Sequence, residues 1–164
     1  MGYRTAMTLA VCDFEQISPE RANDLWAKIQ DGVIDDFNAA DPRILAGVLT
    51  APSTVCFEHE NGMSVLSGIS PRLNADIHFW SWNHESASKI IKLGREVVAY
   101  AFETYELERM TATVPSFNKF AINIAMRLGF RYEGCVRHAF LYHGKYHDVN
   151  VYGILRSEYE RGPS

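Results

Sequence analysis

The sequence predicts an α/β protein built on a mixed (α+β) sheet, mostly antiparallel with one parallel pair. Three observations predict it. An Asn-Gly dipeptide, Asn61-Gly62, lies between two strand-like runs and marks an antiparallel hairpin. A long amphipathic helix is bracketed by strand-like runs, and a strand-helix-strand crossover implies parallel pairing. A helix stop at Leu128-Gly129-Phe130 is followed by two alternating runs that close the chain.

In chain order, residues 5–14 read as a first strand, and Ser18-Pro19-Glu20 opens a helix with a capping hydroxyl, a proline at N1 and an acid in the first turn. Asp41-Pro42 repeats the device for a short helix ending near Leu49. The hairpin strands run from Thr54 to His59 and from Met63 to Ser70, and Ala75 to Trp82 is a strand rich in aromatics. From Ser86 to Tyr105 the apolar residues Ile90, Gly94, Val97, Val98, Ala101 and Tyr105 fall on one side of a helix, opposite Lys89, Lys92, Glu96 and Glu103. Gly94 allows that helix to approach a sheet closely. A short strand over 109–114 leads to a helix whose apolar side is Ala121, Ile124, Ala125 and Leu128, with Lys119, Asn123 and Arg127 opposite. That helix ends at Leu128, with Gly129 at the left-handed position and Phe130 folding back onto Ala125 or Ile124. Residues 131–140 and 148–155 are the last two strands, joined through a turn at His143-Gly144.

With 164 residues, 47% of them hydrophobic, the chain has material for one well-cored domain spanning 1–164. A net charge of −4 without a basic run argues against nucleic acid as the main partner, because phosphate contacts need clustered Lys and Arg. Cys12, Cys56 and Cys135 are odd in number and lack metal-type spacing, so reduced thiols in a cytoplasm are expected. His147-Asp148 has no third ligand at matching spacing, and no metal is expected. No basic start followed by an apolar stretch marks export, and no span reaches membrane-helix length.

The motifs Tyr100-Ala101-Phe102, Asn118, Leu128-Gly129-Phe130, Glu133-Gly134 and the pair Asp148 and Tyr152 resemble the GCN5-related N-acetyltransferase (GNAT) superfamily. The pattern is most similar to the branch that acetylates ribosomal-protein N-termini, and it runs from about Ala75 to Arg156. The resemblance implies the acyl-CoA N-acyltransferase fold: a mostly antiparallel sheet of about seven strands with a splayed parallel pair, flanked by about four helices. It also implies acetyl-CoA as co-substrate, direct transfer to a primary amine or peptide N-terminus, no membrane partner, and a monomer or homodimer.

In the resembled family a glycine-rich loop between the aromatic strand and the long helix offers backbone amides to the pyrophosphate of coenzyme A. The matching residues here are Asn83-His84-Glu85-Ser86-Ala87-Ser88, with serine at both small positions. Serine gives up glycine's freedom at positive φ, and Glu85 sets an anion beside the expected phosphates, while Lys89 and Lys92 are placed to neutralise them. The resemblance therefore assigns Glu85, Ser86, Ala87, Ser88 and Lys89 to the cofactor, together with Phe79, Trp80, Ser81 and Trp82, whose backbone would meet the oxyanion, and Asn118 facing the cofactor arm. Asn118 reads equally as a helix N-cap, and Ala121 stands where the family often has serine. Trp80 and Trp82 read either as core or as lining for an acceptor cleft.

For proton transfer the candidates are Tyr152, His147 and Tyr142, with His143, Asp148, His78 and His84 also available. His143 also reads as a turn residue, His147 as an exposed strand position and Tyr152 as core. A second class of protein fits the same residues: a non-catalytic fold relative, of the kind found among phage-encoded members, serving in assembly or as an acyl-CoA sensor.

Overall fold

The computed structural model describes residues 11–12, 20, 23–25, 27, 47, 49–60, 62–81 and 86–162. Their strands are β1 (Val11–Cys12), β2 (Val55–His59), β3 (Gly62–Ser70), β4 (Asn74–Ser81), β5 (Arg109–Pro115), β6 (Arg131–Tyr142) and β7 (Lys145–Leu155). Their helices are α1 (Ala87–Tyr105), α2 (Lys119–Arg127) and α3 (Arg156–Arg161). One seven-stranded sheet runs in the order β1-β2-β3-β4-β5-β7-β6, antiparallel everywhere except between β4 and β5. Helical backbone is also present at 20, 23–25 and 27 and at 47 and 49, where the two early helices are expected; Leu25 and Leu49 are buried. Most of the expected first strand and early helices lies outside the described residues, as do Asn61 and the residues from Trp82 to Glu85.

The local signals act as their chemistry requires. Ser86 caps α1, its hydroxyl accepting from the Lys89 N–H at 3.4 Å. At the end of α2 the Phe130 N–H donates to the Ala125 carbonyl and the Gly129 N–H to that of Met126, both at 3.0 Å, with Gly129 at φ +97. This is the double bond of a Schellman stop. His143 and Gly144 form a two-residue turn with φ of 47 and 72, a geometry whose twist suits a hairpin. Strands β6 and β7 outrun the expected 131–140 and 148–155, because pairing continues to Tyr142↔Lys145 at this turn.

Two features differ from expectation. The first hairpin closes with His59↔Gly62 paired, so Gly62 belongs to β3 and not to the turn. Glycine is needed there for space: a Cβ would run into the Trp80 carbonyl and the His59 imidazole. The second is α3, which the six-residue run after β7 did not announce. Glu158 accepts from the Leu155 N–H at 3.0 Å, and Tyr159 stacks on Phe102 with centroids 4.7 Å apart. Arg156 secures it further, donating to the Phe102 carbonyl at 2.9 Å.

Alternation sorts the sheet into two faces. One carries Phe57, Leu66, Ala75, Ile77, Met110, Ala112, Tyr152 and Ile154 and packs with Val97, Val98, Ala101 and Phe102 of α1 and Ile124 and Ala125 of α2 in a single buried cluster. Cys56, Met63, Val65 and Trp80 are buried as well but outside that cluster, on the opposite face by register. Gly94 is where α1 meets α2 and the sheet together: a Cβ there would stand 2.7 Å from Leu128 Cδ1 and 3.3 Å from Phe79 Cζ. Gly94→Ala is expected to overpack this junction and cost about 1–3 kcal/mol. A loss of about 2–10 °C in Tm on thermal unfolding checks it.

Candidate functional site

β4 and β5 pair only at Asn74↔Arg109, Ala75↔Met110 and Asp76↔Thr111. Beyond that point β4 stays bonded to β3 as far as Ser81, and β5 stays bonded to β7 as far as Pro115. The sheet therefore parts. Inward-facing backbone groups of residues 77–81 and 112–115 are left without the ladder that satisfies them elsewhere, and buried groups of this kind need a partner.

On the helix side of the parting lies a cleft of about 70 Å³. Its walls are Ile77 and Phe79 of β4, Ala112 and Val114 of β5, Ile90 of α1, and Phe120, Ala121 and Ile124 of α2. Drug-sized molecules occupy roughly 300–1,000 Å³, so this slot suits a thin chain. One polar side chain stands at the start of α2. Asn118 is buried, and its Oδ1 caps the helix by accepting from the Ala121 N–H at 3.0 Å. Its Nδ2 is buried without any hydrogen-bond partner. The two readings of Asn118 thus coexist on one side chain, and the orphaned amide is a donor awaiting an acceptor.

At the start of α1 the amides of Ala87 and Ser88 belong to the first turn, where N–H groups have no partner within the helix and the dipole favours an anion. Ser86 sits at φ −66 and ψ 141, a conformation open to any residue. Serine at this position therefore costs no backbone strain. Its hydroxyl lies 3.1 Å from that of Ser88, and Lys89 Nζ reaches Glu60 Oε2 at 3.2 Å across the first hairpin. That exposed ion pair is worth at most about 1 kcal/mol, so the ammonium can exchange partners. An apolar slot, an orphaned amide at one helix start and open amides at the other fit acetyl-CoA, with its thin arm and its phosphates.

The remaining candidates do not all converge. Phe79 lines the slot, whereas Trp80 projects to the other face of β4, and Ser81 is bonded into β3 opposite Gly62. Trp82 and Glu85 lie outside the described residues. Tyr152 is 4% exposed, pairs with Ala112, meets the Tyr132 ring edge-on at 5.7 Å and receives a long 3.5 Å bond from Asn150 Nδ2. Tyr142 and His147 are at the hairpin tip, packed on Phe117 with centroids 5.0 and 4.7 Å away. Five residues separate His147 from Tyr152, which places them on opposite faces and roughly 16 Å apart along β7. They cannot serve one reacting atom. Asp148 has a local duty: its Oδ1 accepts from the His138 N–H at 2.9 Å and holds that residue at φ 53 in a bulge of β6.

On the face away from the slot a polar line crosses the strands: Asn74 Nδ2 donates to Asp76 at 3.4 Å, Thr111 Oγ1 donates to Asn74 at 2.9 Å, and Arg109 Nη2 meets Glu133 Oε2 at 2.6 Å. His78 lies beside it, its Nε2 3.2 Å from Ser67 Oγ. The signal for both was in β4, where Asp76 and His78 alternate with Ala75, Ile77 and Phe79. Burial lowers the His78 pKa below its ordinary value, opposed by the Asp76 charge.

Residues 62–151 match the family described as Acetyltransferase (GNAT) domain. The chain belongs to that family, whose acetyltransferases use acetyl-CoA as co-substrate. Among curated proteins it is similar to the "Putative ribosomal N-acetyltransferase YdaF" of Bacillus subtilis (strain 168), 31% identical over 52% of this chain and 48% of that one. It is also similar to the "Uncharacterized N-acetyltransferase YoaA" of the same strain, 32% identical over 46% of this chain and 41% of that one. The matched stretch thus spans about half the length of these curated relatives or less. Among solved structures, a spermidine N-acetyltransferase SpeG from Vibrio cholerae superposes with a TM-score of 0.74 at 18% identity, covering 93% of this chain and 97% of that one. A dodecameric spermidine N-acetyltransferase from the same organism gives 0.73 at 18% identity over 95% and 98%. These neighbours establish the fold. Among the described residues no helix is long and apolar enough to cross a membrane.

The lowered His78 pKa fixes a pH dependence of stability. Below about pH 6.5 the unfolded chain takes up this proton before the folded one does, so stability is full above that value and falls as pH drops through the folded pKa. Chemical denaturation at pH 7.5 and 5.5 is expected to show a smaller loss on acidification for His78→Gln than for the wild type.

Proposed function

We propose that the protein transfers an acetyl group from acetyl-CoA to a primary amine by direct attack. The observation that carries this reading is the parting of β4 and β5 beside the orphaned Asn118 amide. On this reading the Ala87 and Ser88 amides, with Lys89 and the hydroxyls of Ser86 and Ser88, take the phosphates of coenzyme A. The thin arm follows the slot past Phe79 and receives a hydrogen bond from Asn118 Nδ2. Backbone amides of β4 beyond Asp76 meet the oxygen of the tetrahedral intermediate, where fixed donors stabilise developing charge. Tyr152 pairs with the slot-lining Ala112 and is assigned to return a proton to the leaving thiolate. Tyr142 and His147, at the hairpin tip, are assigned to flank the acceptor.

The relatives' names support an amine acceptor of one of two kinds. YdaF is named for ribosomal N-acetylation and the structural neighbours for spermidine, so a peptide N-terminus and a polyamine are the acceptors to try first. The exposed thiol of Cys135 is in keeping with a reducing cytoplasm, and the protein is taken to act as a monomer or homodimer.

Thermal unfolding with acetyl-CoA tests the reading. At about a hundred times its dissociation constant the ligand contributes roughly 2.7 kcal/mol, a rise of roughly 5 to 10 °C for a chain of this length. Ser86→Trp is expected to abolish the rise. Asn118→Asp keeps an N-cap of equal quality and is expected to retain the fold while weakening the ligand response. No rise at millimolar acetyl-CoA would sink the transferase reading and favour a fold relative that has lost cofactor use.

A further inference from the structure

We infer that His78 accepts the proton of the acceptor amine, on the face of the sheet opposite the acetyl-CoA slot and beside the parting of β4 and β5; this rests on the transferase reading above. Ile77 and Phe79 line the slot, so the residue between them projects to the other face. Position decides the rest. The last bonded pair of β4 and β5 is Asp76↔Thr111, and His78 is the first residue beyond it whose side chain leaves the sheet on that other face. An amine arriving there meets the imidazole before it reaches the gap behind which the slot lies.

The ring is held for the task. Its Nε2 pairs with Ser67 Oγ at 3.2 Å, and its plane lies near-parallel to the Trp80 ring, 21° apart at 6.3 Å. In the tautomer whose Nε2–H donates to Ser67, Nδ1 carries the lone pair that accepts the proton. The ring is half-buried, and burial favours the neutral form a base requires. On the strands from β2 to β5 the charged groups of this face among the described residues are Asp76 on the same strand, Glu58 on β2, and Arg109 of β5, which Glu133 holds at 2.6 Å. Asp76 is next to His78 on this face of β4 and attracts an ammonium, while the nearest cation is already paired.

The balance is complete. The ammonium gives one proton to Nδ1; the freed nitrogen lone pair attacks the thioester carbonyl carbon; the C–N bond forms and the C–S bond breaks. The second proton of the nitrogen passes to the departing thiolate, giving coenzyme A thiol and an amide, and the imidazolium returns its proton to water.

The experiment follows thiol release from acetyl-CoA between pH 5.5 and 9.5 for wild type, His78→Gln and Ser67→Ala, with spermidine and a short peptide bearing a free α-amine as probe acceptors. His78→Gln is expected to lose about 10²–10⁴-fold in kcat/KM at pH 7 and to recover at alkaline pH, where the amine sheds its own proton. Its acetyl-CoA thermal shift is expected to be unchanged. Ser67→Ala, the milder change, is expected to keep the acidic limb of the profile with a smaller fall in rate. If the wild type turns over a probe and His78→Gln keeps the wild-type pH profile, the inference is overturned alone. If His78→Gln does not fold, a Ser67→Ala variant with wild-type rates at every pH overturns it. If wild type shows neither a thermal shift with acetyl-CoA nor turnover of either probe, the transferase reading fails and takes the inference with it.

Discussion

The arrangement of the whole protein depends on β4 and β5 holding together for three residues and then separating. Two parallel strands left to themselves would zip along their length, since each further pair satisfies backbone groups otherwise left open. Competition prevents it here. β4 is bonded outward to β3 through Ser81, and β5 outward to β7 through Pro115, so each strand follows the twist of its own half of the sheet. On one side of the opening stand Phe79 from β4 and Phe120, Ala121 and Ile124 from α2, the walls of the slot. Gly94 lets α1 come close enough for Leu128 and Phe79 to fill the junction. The opening is a consequence of packing on both flanks, and its unpaired backbone is what a ligand would satisfy.

The same constraint explains why polar groups collect where they do. Below the parting the two half-sheets must be locked, and the line Asp76–Asn74–Thr111 bridges β4 and β5 on the face away from the slot. Arg109 and Glu133 carry the line across β7 to β6, passing over Gly153, where a Cβ would stand 2.7 Å from Arg109 Nη2 and run into the Glu133 carboxylate. Glu133-Gly134, matched in the sequence as a family motif, thus has a physical role: its carboxylate closes the far end of the lock. At the parting itself His78 is the first side chain of β4 on that face.

Features written within a few consecutive residues were legible in the sequence. The stop at Leu128-Gly129-Phe130 and the turn at His143-Gly144 each depend on local bonds, and both formed as expected. Features created by register were not. Gly62 reads as a turn glycine, yet what demands it is the Trp80 carbonyl on another strand. Phe79 and Trp80 are adjacent in sequence, yet register sends their side chains to opposite faces, and of the two Phe79 lines the slot. Tyr142, His147 and Tyr152 form one cluster in the sequence, whereas the strand that carries the latter two holds them far apart. The six residues of α3 are too few to show a period, and what holds the helix is stacking on Phe102 from α1.

The serines at the start of α1, where the family resemblance implies a phosphate loop, bear most directly on whether the fold still serves chemistry. Glycine is indispensable only where the backbone takes a positive φ or where a Cβ would strike a neighbour. Ser86 meets neither condition as the α1 cap: its φ is −66, and its hydroxyl does work a glycine could not, binding the Lys89 N–H. Ser88 is inside the helix, where serine is unstrained and places a second hydroxyl 3.1 Å from the first. The exchange of glycine for serine therefore preserves the open amides and adds two hydrogen-bonding groups beside them. What it alters is room, and an anion that competes for Lys89 is Glu60, on the exposed hairpin 29 residues earlier in the chain. A surface pair of that kind is weak against a doubly charged phosphate held by a helix start. The degenerate motif is on these grounds compatible with coenzyme A, and the orphaned Asn118 amide supplies a reason, independent of the loop, for a ligand to sit between the helices.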